Sequence, residues 1–530
     1  MEVSIEIAKD GNPILKVKVS NDEFYLSSKY FPFKDAEKVS KSITIDNNIL
    51  LFLGISNPYL IYSISRLYPD KEVVVVEPSD KIFNLVMSDR RLSRLLDNSN
   101  IRKLLVRTEE EFKEILSNLS YFNYYIHPQY RIIFDFIPRW EKSIKDAIRN
   151  LEINRNTLRR FGKVWLKNFI TSFPYALNSK PVSSVFGVFS GMDVVVVGAG
   201  PSLDDNIQLL KELYSRSVVI SVDTVWSYLV SNHIIADFVI TVDPQVRNFI
   251  YTILNKSYDK TIFVADTLYP SLLYNFIPYQ NIITFDSPMK VWQTIAREFN
   301  VSKGEIMVGG SVICSAIDFA NRLGADRIIL VGSDFSFPNK KVYSKGNYYE
   351  LSHFLSSDIF SPYDQWKILS RYPLLERVSK EGRNVFTDPR MITFKEWIEK
   401  YIQTNKIRLV NLSREGLLIS DETTEDIFQG SISRREEIEK LKGDLISLDS
   451  NINAKEVVEY IHMVIRRVMD IFHKSGIYGV VDELGRNEFL KDLLEIGLQE
   501  ILLREYSEDE FLKVLEDQVL YIERLYYKVY

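Results

Sequence analysis

"DVVVVGAGPSLDDNIQLL", Asp193 to Leu210, is the stretch on which the fold of this chain turns. Four valines in a row show no alternation, so the strand they predict is covered on both faces, as a parallel strand between helices must be. Gly198 and Gly200 permit a tight turn and close backbone approach, Pro201 suits the first turn of a helix, and Ser202 adds a hydroxyl. A helix starting near Leu203 aims its positive end at whatever the turn holds. The turn is therefore expected to offer free N–H groups to a phosphate. In the G-x-G-x-x-G fingerprint the third glycine position falls on Leu203. A nicotinamide-type site thus has little support, and a purely structural turn stays open.

Further apolar runs of this kind follow, namely "SVVISVD", "DFVITVD", "TIFVAD", "RIILVGSD" and the candidate "NIITFD". Each ends in an acid, giving Asp223, Asp243, Asp266, Asp286 and Asp334. Ligands of an open parallel sheet bind outside the carboxyl ends of its strands, so these aspartates are expected to line one crevice. Carboxylates repel phosphate but accept hydrogen bonds from hydroxyls and base amines, and one can serve as a general base. Some of the five are expected to cap helices or brace turns instead. A second glycine turn, Gly309-Gly310-Ser311, opens a helix with Ala316, Phe319, Ala320 and Leu323 on one face and Gly324 at its C-terminal stop. Cys314, one turn inside that helix, reads as packing.

Outward from this core, "MEVSIEIAKDGNPILKVKVS" alternates around Asp10-Gly11 as a hairpin does, and "SSKYFPFKDAEKVSKSI" turns at Pro32 into a helix. "ILLFLGISNPYLIYSISRLYPDKEVVVVEPS" reads strand, turn, helix, strand, with Glu77 ending the second strand. Its turn has the single glycine Gly54, which favours a Rossmann-shaped domain without a strong cofactor site. From Trp140 to about Phe173 the pattern is helical and charged, and from about Ser431 to Tyr530 amphipathic helix dominates. The fold class expected is α/β, with two Rossmann-like parallel-sheet domains and a helical C-terminal region. The segments are residues 1–138, a connector at 139–178, a central domain at 179–428 and C-terminal helices at 429–530.

At 530 residues, 46% apolar and 26% charged, the chain reads as a multidomain globular protein. A net charge of -5 argues against nucleic acid as a partner. The single cysteine excludes an intrachain disulfide, and no signal-peptide pattern or membrane-spanning run is present, so a cytoplasmic location away from membranes is expected. No two aspartates stand two apart, and His127, His233, His353, His462 and His473 are scattered, so no metal site is expected. His353, in the loop beyond Asp334, is a candidate base.

The motifs "GAGPSLDDNIQLL", "VISVDT", "DFVITVDPQ" and "GGSVICSAIDFANRLGADRIILVGSDFSF" resemble the central domain of the motility-associated factor (Maf) flagellin glycosyltransferases. "LSSKYFPFKDAEK", "VVVVEPS", "NTLRRFGKVWLKNFI" and "VNLSREGLLISD" extend the likeness to about residue 425. The resemblance implies transfer of a sialic-acid-like nonulosonic sugar, pseudaminic or legionaminic acid, from its CMP-activated form to serine or threonine of flagellin, with no cofactor beyond that donor. It also implies that Gly198, Gly200, Pro201 and Ser202 cradle the CMP phosphate and ribose, that Asp223 contacts the nucleotide, and that Gly310 and Ser311 close the other side, with Gly309, Asp334 and Tyr343 as further donor-binding candidates. Where the family has a threonine-histidine pair, this chain has Tyr343-Ser344, and the family's double glycine stands here as Gly416-Leu417. Tyr343, Tyr348 and Tyr349 are then candidates for holding the leaving phosphate, and Asp243 or Glu415 for taking the acceptor proton. Two alternatives stay open: an ATP-dependent pterin pyrophosphokinase, which the central domain also resembles, and a noncatalytic α/β scaffold for flagellar assembly.

Overall fold

The computed structural model describes residues 1–119, 121–246, 258–359, 369, 373–418, 433–447, 454–484, 486–498 and 508–529. The chain divides into two compact units, one of residues 1–160 and one of residues 161–498 and 507–530. The expected class holds: α/β, two parallel sheets and a helical C-terminal region.

In the first unit, β1 (Glu2–Ile7), β2 (Pro13–Val19) and β3 (Asp22–Tyr25) form an antiparallel sheet, and the β1–β2 turn carries Gly11 at φ 84°. Helix α1 (Pro32–Ser40) starts on its proline. Four parallel strands follow, β4 (Ile49–Leu53), β5 (Glu72–Glu77), β6 (Ile101–Leu105) and β7 (Phe122–Ile126), in the order β6-β5-β4-β7. Because β5 and β7 flank β4 on opposite sides, the crevice beyond β4 is the topological switch point where such sheets bind ligands. A side chain stands there. Gly54 (φ 113°) leaves so little space that a Cβ would lie 2.8 Å from the Tyr130 ring. The Tyr130 hydroxyl donates to Glu77 Oε2 at 2.5 Å, and the Ile55 and Ser79 N–H groups also donate to that carboxylate. Burial pushes the Glu77 carboxyl up to about 7.

Helix α2 (Ile137–Asn178) runs into the second unit. Eight parallel strands form its sheet: β8 (Lys180–Pro181), β9 (Asp193–Val197), β10 (Val218–Val222), β11 (Phe238–Thr241), β12 (Ile262–Asp266), β13 (Ile282–Phe285), β14 (Arg327–Val331) and, after the hairpin β15 (Leu375–Val378) and β16 (Asn384–Thr387), β17 (Leu409–Asn411). The order is β17-β14-β9-β10-β11-β12-β13-β8. Six of these strands match the six apolar runs; β8 and β17, of two and three residues, are too short to announce themselves by pattern. The valines of β9 are fully buried, as their lack of alternation predicts. Helices that bear on the site are α3 (Ser202–Tyr214), α4 (Asp223–Ser231), α5 (Val312–Arg322) and α6 (Pro389–Asn405), the last capped by Asp388.

C-terminal helix α7 (Arg435–Ser447) packs Ile438 and Leu445 into the core of the second unit. It is also tied by charge. Asp237, with no exposed surface, receives Lys442 Nζ at 3.0 Å and both terminal nitrogens of Arg435, and its Oδ2 accepts the Val219 N–H at 2.9 Å. Helices α8 (Ala454–Leu484), α9 (Glu488–Leu498) and α10 (Glu508–Val529) bury Ile465, Val468, Leu490, Leu493, Val519 and Ile522 together. Removing one member of a buried ion pair strands the other in low dielectric, at a cost of about 3–5 kcal/mol. Asp237→Ala should accordingly lower the unfolding free energy of the second unit by that margin, measured by urea denaturation followed by tryptophan fluorescence; an unchanged value would show that the charges are solvated.

Candidate functional site

In the second sheet β9 lies between β10 and β14, so the switch point falls between β9 and β14, where the Gly198–Ser202 turn faces the loop after Val331. The glycines serve a close approach of two backbones. A Cβ on Gly198 would stand 2.6 Å from the Gly332 carbonyl oxygen, and one on Gly200 would run into that carbonyl and the Asp334 carboxylate. The Gly198 N–H donates to Val331 O at 2.8 Å, the Gly200 N–H to Gly332 O at 2.9 Å, and the Ser202 N–H to Asp334 Oδ2 at 3.2 Å. This corrects the expectation of free amides at the turn: its donors are spent on the neighbouring strand end. Asp204 and Asp205 occupy the first turn of α3 and oppose a phosphate there.

The other helix start is different. Ser311 holds extended φ and ψ ahead of α5 without a side-chain cap, and no acid lies in the first turn. Among the described residues no acceptor meets the N–H groups of Ser311, Val312 or Ile313. Unpaired amides at a helix N-terminus form an anion site. Gly310 precedes them at φ 84°, and a Cβ on Gly309 would collide with Cys314 and the Trp397 ring of α6. These glycines let α6 close over the helix start.

Both turns border a cavity of about 300 Å³ that Gly198, Gly200, Pro201, Asp223, Asp243 and Ser311 line on one side. Asp334, Tyr343 and Tyr349 line it as well, with Phe335, Phe337, Met391 and Phe394 as apolar wall. Tyr343 and Tyr349 stack with centroids 5.0 Å apart. The aromatic wall belongs to loops and to α6, whose spacing carried no warning of it; the signal available was the aromatic density of "FSFPNKKVYSKGNYYELSHF".

The five strand-end aspartates separate by task. Asp223 is buried, accepts the Thr224 N–H and the Thr241 hydroxyl at 2.7 Å each, and is pushed by burial up to about 7. Asp243 is half-buried, braces Gln245 and faces the cavity. Asp334 is buried against Ser202 and Ser413, and burial holds its carboxyl above the usual carboxylate range. Asp266 and Asp286 do not reach the cavity. Asp266 accepts the Leu268 N–H at 2.6 Å, while Asp286 gathers Trp292 Nε1 and the Lys303 and Gly304 N–H groups, holding turns together.

Ser202 and Glu415 open instead on a second cavity, of about 530 Å³, which shares Pro201 and Asp334 with the first. Glu415 pairs there with Arg383. Gly309, Gly310 and His353 line neither cavity; His353 sits on a short helix at residues 348–355. Among the described residues no group of acids, histidines or cysteines is arranged to hold a metal ion, and no helix is long and apolar enough to cross a membrane.

Residues 167–340, which contain both glycine turns and all five aspartates, match the family model described as 6-hydroxymethylpterin diphosphokinase MptE-like. The chain is similar in fold to the structure of MAf glycosyltransferase from Magnetospirillum magneticum AMB-1, with a TM-score of 0.63, 12% sequence identity, and coverage of 100% of this chain and 92% of that one. Two uncharacterized proteins of Treponema pallidum (strain Nichols) are each 24% identical to it. One aligns over 216 residues, 39% of this chain and 73% of that protein, and the other over 134 residues, 24% and 61%. The kinship read from the central motifs holds at the level of domain family and fold.

Asp223 carries a pH signature. Raised from the ordinary 3.8 to about 7, it binds a proton in the folded state across a window where the unfolded chain does not, so stability falls as pH rises through that window and levels off above it. Asp223→Asn removes this dependence. Relative to the parent, its stability should rise by on the order of 2–4 kcal/mol between about pH 4 and pH 7 and then stay constant. Urea unfolding at a series of pH values measures this, and a difference independent of pH would refute the protonated state.

Proposed function

We propose that this protein is a glycosyltransferase that moves a nonulosonic sugar such as pseudaminic or legionaminic acid from its CMP-activated donor to serine or threonine of flagellin in the cytoplasm. One observation carries the reading: the unpaired amides of Ser311, Val312 and Ile313 stand at an aromatic-walled switch-point cavity. The fold shared with a glycosyltransferase and the sequence motifs support it. A volume of about 300 Å³ sits at the lower end of small-molecule sites, about 300–1,000 Å³, which suits a pyrimidine nucleotide.

In this reading the phosphate rests on the α5 amides and the base lies against Tyr343, Tyr349 or Phe394. The bond from the anomeric carbon to the phosphate oxygen breaks with its electron pair going to CMP. Fixed N–H donors stabilise that developing charge without reorganising. Positive charge builds on the sugar ring, the acceptor oxygen attacks it, and the acceptor proton passes to a carboxylate. Asp243, in the nucleotide cavity, and Glu415, in the adjoining one, are the candidates; His353 lies outside both. Asp223, held by the Thr224 N–H and the Thr241 hydroxyl, lines the same cavity. Gly198 and Gly200 shape the cavity, and their own amides face the protein.

The description of the matching family model favours a second reading, a pterin diphosphokinase using ATP and magnesium. Calorimetry separates the readings: CMP binding without added metal supports the transferase, ATP binding with magnesium the kinase, and no nucleotide binding the scaffold. Intact-mass analysis of flagellin from a strain lacking the gene tests the acceptor, and an unaltered mass would remove flagellin from the proposal.

Ser311→Asp gives a sharper test. An aspartate at the N-cap satisfies the free amides internally, so the variant should be as stable as the parent or more so, by about 0.5–1 kcal/mol. Its carboxylate occupies the proposed phosphate position, and CMP affinity should fall by more than about tenfold. Undiminished CMP affinity in the folded variant would exclude the α5 helix start as the phosphate site.

A further inference from the structure

Pro201 and Asp334 line the nucleotide cavity from one side and the larger second cavity from the other. The two cavities have opposite chemistry. The first is walled by aromatic and aliphatic side chains, whereas among the described residues the second has no apolar lining besides Pro201 and Pro338. Some of its charges are already spent. Glu415 pairs with Arg383, Asp204 accepts the Lys345 N–H and the Tyr228 hydroxyl, and Asp334 is taken up by Ser202 and Ser413. Among the described residues, Lys341, Lys345 and Arg414 have no acidic partner in an ion pair, Asp205 has no basic one, and Glu381 meets the charge of Lys380. Guanidinium and ammonium groups without acids bind a carboxylate or other anion, while carboxylates and the amides of Asn206 and Asn339 accept and donate hydrogen bonds to hydroxyls.

The walls are built in advance. The loop between the cavities holds Phe335, Asn339 and Lys340 at φ of 53°, 51° and 60°, a region that side chains other than glycine enter at a cost. Bonds to neighbouring segments hold it there: Thr387 Oγ1 donates to Phe335 O at 2.8 Å, the Phe337 N–H to Phe386 O at 2.7 Å, and the Leu417 N–H to Asp334 O at 3.0 Å.

We infer that the second cavity is the glycosyl subsite and takes the transferred sugar as a polyhydroxylated acid, with Arg414 and Lys341 reading its carboxylate. The inference rests on the nucleotide occupying the first cavity. Sugar and phosphate are one covalent unit until transfer, so with the phosphate on the α5 amides the sugar extends past Pro201 and Asp334 into the second cavity. The volume of about 530 Å³ accommodates a nine-carbon sugar and leaves the acceptor oxygen a way in. Arg414, exposed at the rim, can meet a planar carboxylate with two parallel N–H bonds, which Lys341 cannot.

The test uses the full chain with two probes, CMP and CMP-N-acetylneuraminate, and the variants Arg414→Ala, Arg414→Lys and Lys341→Ala. CMP should bind the parent and every variant alike. CMP-N-acetylneuraminate should bind about tenfold more weakly to Arg414→Ala and Lys341→Ala, with partial recovery in Arg414→Lys. Unchanged affinity for the sugar nucleotide in both alanine variants, with CMP binding intact, overturns the subsite and leaves the nucleotide reading standing. Failure of the parent to bind CMP overturns both. A raised KM for the acceptor at unchanged donor affinity overturns the sugar assignment in favour of an acceptor polypeptide.

Discussion

Two strand ends, those of β9 and β14, have to meet without side chains between them, and the second unit is arranged around that requirement. Gly198 and Gly200 present bare backbone to Gly332, and their amides bond across to Val331 and Gly332. Gly332 itself sits at φ 67°, which lets the chain double back beneath the turn. Asp334 is thereby drawn under the start of α3, where it terminates the Ser202 amide, and the loop beyond it returns as a partition between two cavities. A motif that resembles a phosphate cradle acts here first as a seam. The other glycine turn differs, since among the described residues the amides of its helix start meet no acceptor.

Buried charge carries much of the remaining specificity. Lys303, fully buried, donates to the carbonyls of Leu177 and Ser179 at the end of α2, and burial pushes its amine down to about 7. Lys180 does the same for Leu445 and Ile446 at the end of α7. Cations at helix C-termini oppose the dipole and satisfy carbonyls that the helix leaves unpaired. With Asp237 gripping Arg435 and Lys442, these contacts set where α2 and α7 lie against the sheet in a way that interchangeable apolar faces do not.

The two parallel sheets follow one topological rule and end differently. Each places one strand, β4 in the first and β9 in the second, between two later ones and so opens a crevice at a switch point. In the first unit the ring of Tyr130 stands against Gly54 and bonds to Glu77, the acid where a nucleotide-binding sheet would meet a ribose. In the second unit the corresponding space is lined by Asp223, Asp243 and stacked tyrosines and stays open. Fold alone does not decide between these outcomes; one aromatic side chain does.

Much of this was legible in the sequence because it depends on local pattern. Unbroken valine runs announce strands covered on both faces, glycine pairs announce tight turns, and amphipathic spacing announces the C-terminal helices. The aspartates at strand ends were legible as a set for the same reason. Their division was not: Asp266 and Asp286 brace turns while Asp223, Asp243 and Asp334 reach the cavity, because strand order, invisible in sequence, determines which ends are neighbours. The same holds for the amides. Whether an N–H at a glycine turn is free depends on a carbonyl more than a hundred residues away, and for Gly198 that carbonyl is Val331. Sequence by itself determined the elements and the residue types that chemistry requires. Only the tertiary structure decided which donors and acids remain unspent, since hydrogen bonds and burial between distant segments consume the others.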